Sequence, residues 1–406
     1  MKFLLVSYGT RGDVEPCAAV GLELQRRGHD VRTAVPPDML GFVEAAGLAA
    51  VAYGPDPQGL RHGDFVRNVT KIHDPDRRVR QITEYAGQLW LEMGTTLTAL
   101  ANGADLLVTC IGEQQGLIAN VAEYYDIPLA ALHSFPVRFF APGWLHSQIM
   151  RDAEDAYRRA VGLPETTGLS TRGLVERTSL EIQAYDEFCF PEAAAESARP
   201  DGRRPFVGSL TLELPTDADD EVASWIVAGT PPIYFGFGST PVASPADTAA
   251  MIVEACARLG ERALICSAVS DFSQIPQFDH VKVVRTVNYA PIFPACRALV
   301  HHGGAGTTAA SLRAGVPTLI LWIEADQPVW AAQVIRLKVG SARRFLATTQ
   351  ESLVADLRTI TAPQYVARAR DIAARMTKPA ESVARAADLL ENAASDTMKR
   401  ASRIVR

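Results

Sequence analysis

A doubly wound α/β architecture with two parallel sheets is the fold predicted for this chain, and three observations carry the prediction. Short apolar runs alternate with longer stretches of helical pattern. The alternation occurs twice, on either side of a segment punctuated by proline and glycine. In both halves a strand-like run enters a glycine turn that opens onto helix-favouring residues. The 406 residues, 48% of them hydrophobic, suffice for two cores, because a single core stops growing at about 250–300 residues.

In the first half, Lys2 to Ser7 and Val31 to Val35 read as strands joined by a helix from Cys17 to Arg27. Asp105 to Cys110 and Pro128 to His133 read as two more, joined by a helix from Gly116 to Tyr125. The second half repeats the scheme with strands at Ile233 to Phe237, Arg262 to Ser267, Val281 to Arg285, Ala298 to His301 and Pro317 to Trp322, and a helix at Ala246 to Leu259. Between the halves, Ala198 to Pro205 has the composition of a linker. The boundary is therefore expected near residues 200 to 215, with a first domain over 1–205 and a second over 215–379. Pro379 to Ala394 carries apolar residues at helical spacing: Val383, Ala386, Ala387, Leu389 and Leu390. Residues 60 to 80 and 143 to 175 are the least periodic.

Net charge is −6, so no global basic field invites nucleic acid, and any nucleotide site must be local. Six cysteines lie apart, without CxxC spacing and mostly inside apolar runs, which suits buried thiols of a reducing compartment better than disulfides or metal ligands. Met1-Lys2 leads straight into a strand, with no leader-type apolar region, and no later stretch is apolar enough to span a bilayer. A cytoplasmic protein is expected. The basic end, Lys399 to Arg406, reads as a frayed solvated tail, with peripheral contact at the inner face of the membrane left open.

The densest motif is His301-His302-Gly303-Gly304-Ala305-Gly306-Thr307-Thr308, between the apolar Ala298-Leu299-Val300 and the helix formers Ala309 to Leu312. Glycines let backbone approach a ligand, first-turn N–H groups point at it, and the helix dipole favours negative charge there. A phosphate fits that description. After the next strand comes Glu324-Ala325-Asp326-Gln327, and near the start Phe3 to Ser7 is followed by Tyr8-Gly9-Thr10-Arg11-Gly12-Asp13-Val14-Glu15-Pro16. Ligands of open α/β sheets bind at such carboxyl ends of strands.

Together with Val31 to Pro37, Pro231 to Ser239, Val287-Asn288 and Ala325 to Pro328, these motifs resemble the GT-B glycosyltransferases that act on antibiotic aglycones and mycobacterial glycolipids, relatives of sterol and plant natural-product glucosyltransferases. The resemblance covers nearly the whole chain. It implies two Rossmann-like domains facing across a cleft, an acceptor-binding first domain, a donor-binding second one, and a last helix at about 380–395 that returns to the first. It also implies inverting transfer of a hexose or deoxyhexose from a UDP- or dTDP-sugar to a hydroxyl of a hydrophobic, lipid or natural-product acceptor, with no cofactor.

The same resemblance assigns roles. His302 contacts the diphosphate, joined by the N–H groups around Gly304, Ala305, Gly306 and Thr307, by the Thr307 hydroxyl and by Ser239. Val287 holds the base through its backbone, and Asp326 and Gln327 hold sugar hydroxyls. Glu324 stands where many relatives have glutamine, which leaves the donor sugar open. His301 points the other way along its strand and reads as structural. Asp13 takes the position of the catalytic base, while its local sequence by itself reads as a helix cap. Arg11 reaches the diphosphate or forms a surface ion pair. In the first domain Phe135, Phe139, Phe140, Trp144 and Leu145 either wall the acceptor pocket or pack a loop.

Asp74-Pro75-Asp76 and Asp217-Ala218-Asp219 both spell DxD, yet neither follows a hydrophobic strand. Both read as solvated, so no metal is expected. Three rivals remain. An epimerase or hydrolase of the same fold needs extra acids at the sugar, and none is legible. A catalytically idle helper protein tends to lose the phosphate-binding run, which is intact here. A dehydrogenase needs G-x-G-x-x-G and an acid closing the second strand, and here that strand ends in Pro36.

Overall fold

The computed structural model describes all residues except 57–63, 70, 111–114, 138–143, 166–179, 198–201, 243, 271, 273–277 and 405–406. For 64, 66–67, 144–147, 197 and 396–404 it describes backbone alone. The chain forms two compact units. Met1–Glu187, Pro191–Leu212 and Pro379–Arg406 make the first, and Phe188–Phe190 with Glu213–Lys378 the second.

The first unit contains strands β1 (Lys2–Val6), β2 (Asp30–Val35), β3 (Ala50–Ala52), β4 (Leu106–Cys110), β5 (Leu129–His133) and β6 (Leu180–Gln183). They form one parallel sheet in the order β3-β2-β1-β4-β5-β6. The second unit contains β7 (Ile233–Gly236), β8 (Ala263–Cys266), β9 (Val281–Val284), β10 (Ala298–His301), β11 (Thr318–Trp322) and β12 (Gly340–Arg344), parallel in the order β12-β11-β10-β7-β8-β9. Each order reverses at its middle, between β1 and β4 and between β7 and β10. Such switch points leave a crevice at the carboxyl ends of the strands.

The principal helices are α1 (Arg11–Arg26), α2 (Pro75–Ala101), α3 (Gln115–Tyr125), α4 (Trp144–Val161), α5 (Asp219–Val227), α6 (Pro245–Leu259), α7 (Ala305–Ala314), α8 (Gln327–Leu337), α9 (Gln350–Ile360), α10 (Pro363–Ala373) and α11 (Pro379–Ile404). Alternation along β1 sends Phe3 and Leu5 to a core shared with α1 and α11, and Leu4 and Val6 to a core shared with α2, α3 and α4. In the second unit, Ile233 and Phe235 pack with α6 and α9, while Tyr234 packs with α5 and with Phe293. Parallel strands buried on both faces explain why these runs are almost wholly apolar.

α11 lies on α1. Its Ala386, Ala387, Leu390 and Ala394 are fully buried, and Arg27 clamps it through Asp388 at 2.6 Å and Glu391 at 2.8 Å. A fully buried leucine such as Leu390 contributes roughly 1.5–3 kcal/mol, so this packing rather than the exposed ion pairs holds the helix in place.

The two least periodic stretches nevertheless carry helix, the start of α2 in one and α4 in the other. α2 begins at Pro75, with Asp74 as its N-cap accepting from the N–H groups of Asp76 and Arg77, and α4 occupies 144–161. The stretch expected as a linker is, in its described part, joined to β6: Glu181 donates to the Arg203 carbonyl, Gln183 to that of Pro205, and Val207 back to that of Gln183. Among the described residues no helix is long and apolar enough to cross a membrane. All six cysteines are buried, and none forms a disulfide among the described residues.

Candidate functional site

At the switch point of the second sheet, β10 delivers His301 and His302 into a turn. Gly303 has φ +95°, and a Cβ there would come within 2.7 Å of Ile320 Cγ2, so only glycine turns the chain here without strain. His301 is fully buried. Its Nδ1 accepts from the Gly303 N–H at 3.0 Å, and Nε2 lies 3.4 Å from Ser311 Oγ, whose own hydroxyl donates to the Thr308 carbonyl. One neutral tautomer, protonated on Nε2, satisfies all of this. Burial pushes its pKa down to about 3, so His301 is an uncharged brace for the turn.

His302 faces the other way, and its ring is cradled between two glycines. A Cβ on Gly238 would come within 2.6 Å of Cε1, and one on Gly304 within 2.6 Å of Nε2. Gly238 follows β7, has φ +58° and precedes the half-buried Ser239. Burial pushes the His302 pKa down to about 4, against the opposing pull of the Gly236 carbonyl. Nδ1 is buried and makes no hydrogen bond among the described residues. A neutral imidazole wedged this way is a fixed hydrogen-bonding group and carries no charge at pH 7.

α7 starts immediately after. Its N-cap is Gly304, in extended conformation and without a side-chain cap. The N–H groups of Ala305, Gly306 and Thr307 have no acceptor inside the helix by geometry. A Cβ on Gly306 would meet nothing within 4 Å, so open space lies in front of the turn. First-turn donors without helical acceptors, a helix dipole and a neutral histidine together are chemically suited to an anion.

β11, the neighbour of β10, ends in Trp322 and leads to a turn where Ala325 takes φ +57°. Asp326, half-buried, is the N-cap residue of α8 but gives no side-chain cap. Burial pushes its carboxyl up to about 6. Gln327 is buried, and its Oε1 accepts from the N–H groups of Ile323 at 2.7 Å and Glu324 at 3.1 Å. Both lone pairs of that oxygen are thus occupied, and only the amide NH₂ is left for a ligand. Val287, after β9, packs its side chain into the core beside Tyr234 and Phe293.

The switch point of the first sheet carries Asp13. Here α1 begins at Arg11, earlier than its pattern suggests, so Asp13 lies inside the first turn and reaches back to the Thr10 N–H at 2.8 Å. Gly9, at φ +136°, must be glycine, because a Cβ would come within 2.3 Å of Asp13 Oδ2. Arg11 pairs with Glu15 at 2.7 Å and lies over the Phe42 ring. Glu15 in turn accepts from the N–H of Leu212.

Phe135 is half-buried after β5. Phe139 and Phe140 lie outside the described residues, as do the side chains of Trp144 and Leu145 at the start of α4. The two DxD strings have other work. Asp74 caps α2, and Asp219 accepts from Thr216 N, Thr216 Oγ1 and Asn288 N. The part Gly238 plays has no local signal in the sequence, since this glycine stands sixty-four residues from the histidine it flanks.

Two doubly wound units of six parallel strands each are the architecture of the GT-B glycosyltransferases. Residues 250–389 match the family described as "Erythromycin biosynthesis protein CIII-like, C-terminal domain". The chain is similar to a glycosyltransferase of Mycobacterium leprae, 60% identical over 98% of this chain and 99% of that one. It is also 29% identical to the vancomycin aglycone glucosyltransferase of Amycolatopsis orientalis, over 95% and 96% of the two chains. Among solved structures it resembles the glycosyltransferase SsfS6 of Streptomyces sp. SF2575 complexed with thymidine diphosphate, at TM-score 0.62 and 21% identity over 94% and 98%. The chain belongs to the EryCIII-like family of GT-B glycosyltransferases, and it is a glycosyltransferase.

Proposed function

We propose that the chain is an inverting, metal-independent transferase that moves a hexose or deoxyhexose from a UDP- or dTDP-sugar to a hydroxyl of a lipid or natural-product acceptor. The observation that carries this reading is the uncapped start of α7 beside His302 in its glycine cradle. As the bond from the anomeric carbon to the diphosphate breaks, negative charge grows on the departing oxygen. The N–H groups of Ala305, Gly306 and Thr307, the hydroxyls of Thr307 and Ser239 and an Nε2–H of His302 stabilise it, the role that a metal plays elsewhere. The backbone of Val287 holds the nucleobase. Asp326 accepts from sugar hydroxyls, and the Gln327 amide donates to them.

On the acceptor side, the hydroxyl oxygen attacks the anomeric carbon from the face opposite the diphosphate, which inverts the configuration. Its proton passes to Asp13, which Thr10 holds at one oxygen. The vancomycin relative supports a natural-product acceptor. A lipid acceptor would bring the protein to the inner face of the membrane.

The test is release of nucleoside diphosphate from a panel of UDP- and dTDP-sugars, with and without hydroxylated acceptors, in EDTA. Acceptor-dependent release that ignores the chelator is expected. Acceptor-independent release would mean a hydrolase, binding without turnover a helper protein, and activity restored only by magnesium a metal enzyme.

A further inference from the structure

We infer that Phe188-Cys189-Phe190 is a strap that positions the donor-sugar end of α8. These three residues belong to the second unit, although Glu187 before them and Pro191 after them belong to the first. They grip α8 at two heights. Phe190, 3% exposed, meets the ring of Trp330, 1% exposed, edge to face at 4.9 Å. Six residues further on, Arg336 Nη2 donates to the carbonyls of Phe188 at 2.7 Å and Cys189 at 2.9 Å. Arg375, just after α10, lies over the Phe188 ring at 4.3 Å.

Trp330 is one helical turn from Asp326 and Gln327 and on the same face of the helix. On its other side the start of α8 is wedged against the phosphate turn, where a Cβ on Gly303 would sit 3.3 Å from the Gln327 carbonyl oxygen. The body of α8 packs on β11 and β12, and its first turn is held between the phosphate turn and the strap. Without the strap its first turn shifts slightly against the wedge, which displaces the Asp326 carboxylate while leaving the α7 N–H groups where they are. Trp330 Nε1 is buried and makes no hydrogen bond among the described residues, so this indole is kept by its packing and not by its polar atom. The strap residues are positioning residues, since they act on the sugar through Asp326 and Gln327.

This inference rests on the reading of the α7 and α8 starts as the donor site, and its test separates the two. Arg336 is exposed, so Arg336→Ala removes the strap's hydrogen bonds without opening the core. Binding of UDP, dTDP, UDP-glucose and dTDP-glucose to wild type, Arg336→Ala, Arg336→Lys and Trp330→Phe is measured by calorimetry. The expected result is that Arg336→Ala weakens the sugar nucleotide about tenfold, as loss of oriented hydrogen bonds would, with the free diphosphate within about twofold of wild type. Arg336→Lys recovers part of the loss, and Trp330→Phe, which keeps an aromatic partner for Phe190, binds like wild type. Equal weakening of both ligands, or of neither, or no recovery by lysine, would overturn the strap. A wild-type protein that binds none of the four would overturn the donor-site reading itself.

Discussion

α1 and α7 each start at the carboxyl end of a strand that borders a switch point, β1 in one sheet and β10 in the other, and their first turns are furnished in opposite ways. In α1, Asp13 fills the turn with a carboxylate that takes the Thr10 N–H. In α7 the N-cap is Gly304, without a side-chain cap, and the turn holds no acid. A carboxylate in the first turn repels an incoming phosphate and compensates the helix dipole, whereas an uncapped turn attracts one. On the proposed reading the same scaffold yields a base in one unit and an anion site in the other, and the change lies in a handful of side chains.

The largest effect expected from disturbing this contrast is at Asp13. Asparagine keeps an oxygen for the Thr10 N–H and caps about as well as aspartate, yet it takes up no proton. Asp13→Asn should reduce turnover ~10²–10⁴-fold while the unfolding midpoint stays close to wild type. Turnover near wild type would leave Asp13 as a cap only and the acceptor hydroxyl without an identified base. Next in size is His301→Ala, which strips the Gly303 N–H of its acceptor in a buried turn. It should cost about 1–3 kcal/mol of stability, the penalty for an orphaned buried donor, measured by denaturant unfolding. A variant as stable as wild type would contradict the bracing role.

Smallest is the pH signature of Asp326. Its carboxyl, pushed up to about 6 by burial, keeps its proton in the folded chain over a range where the unfolded chain, at about 4, has lost it. The stability it contributes is present below the lower value and lost as pH rises through the upper one. Asp326→Asn removes that dependence, so the gain in unfolding midpoint over wild type should grow between pH 4 and pH 7. The gain is on the order of 1 kcal/mol, because the side chain is only half-buried and solvent screens it. A difference that does not vary with pH would sink the desolvation argument.

Much of this was legible in the sequence. Strands buried on both faces are short apolar runs, and the helices between them carry their own punctuation, so the two-fold α/β plan and the family could be read directly. α2 could not be picked out so easily. Its inward stripe, Ala86, Trp90, Met93, Leu97 and Ala101, is helical in spacing but is diluted among charged and threonine-rich turns, and its capping aspartate sits in a string that resembles a metal motif. The glycine run marked the turn into α7, but it did not say that Gly304 makes room for His302 while Gly306 faces open space. Nor could it show that Gln327 Oε1 is held by its own backbone, or that Phe190 lies on Trp330. Those facts depend on contacts that leave no mark on the local pattern of residues.

The measurement that tests the contrast between the two helix starts most directly is calorimetric binding of free UDP and dTDP to wild type, His302→Ala and Asp13→Asn, in parallel and without acceptor. If α7 and His302 hold the diphosphate, His302→Ala weakens binding at least about tenfold, as loss of a hydrogen bond to a charged group would. Asp13→Asn then binds within about twofold of wild type. Undiminished binding by His302→Ala, or an equal loss in Asp13→Asn, would contradict the assignment of the anion site to the second unit.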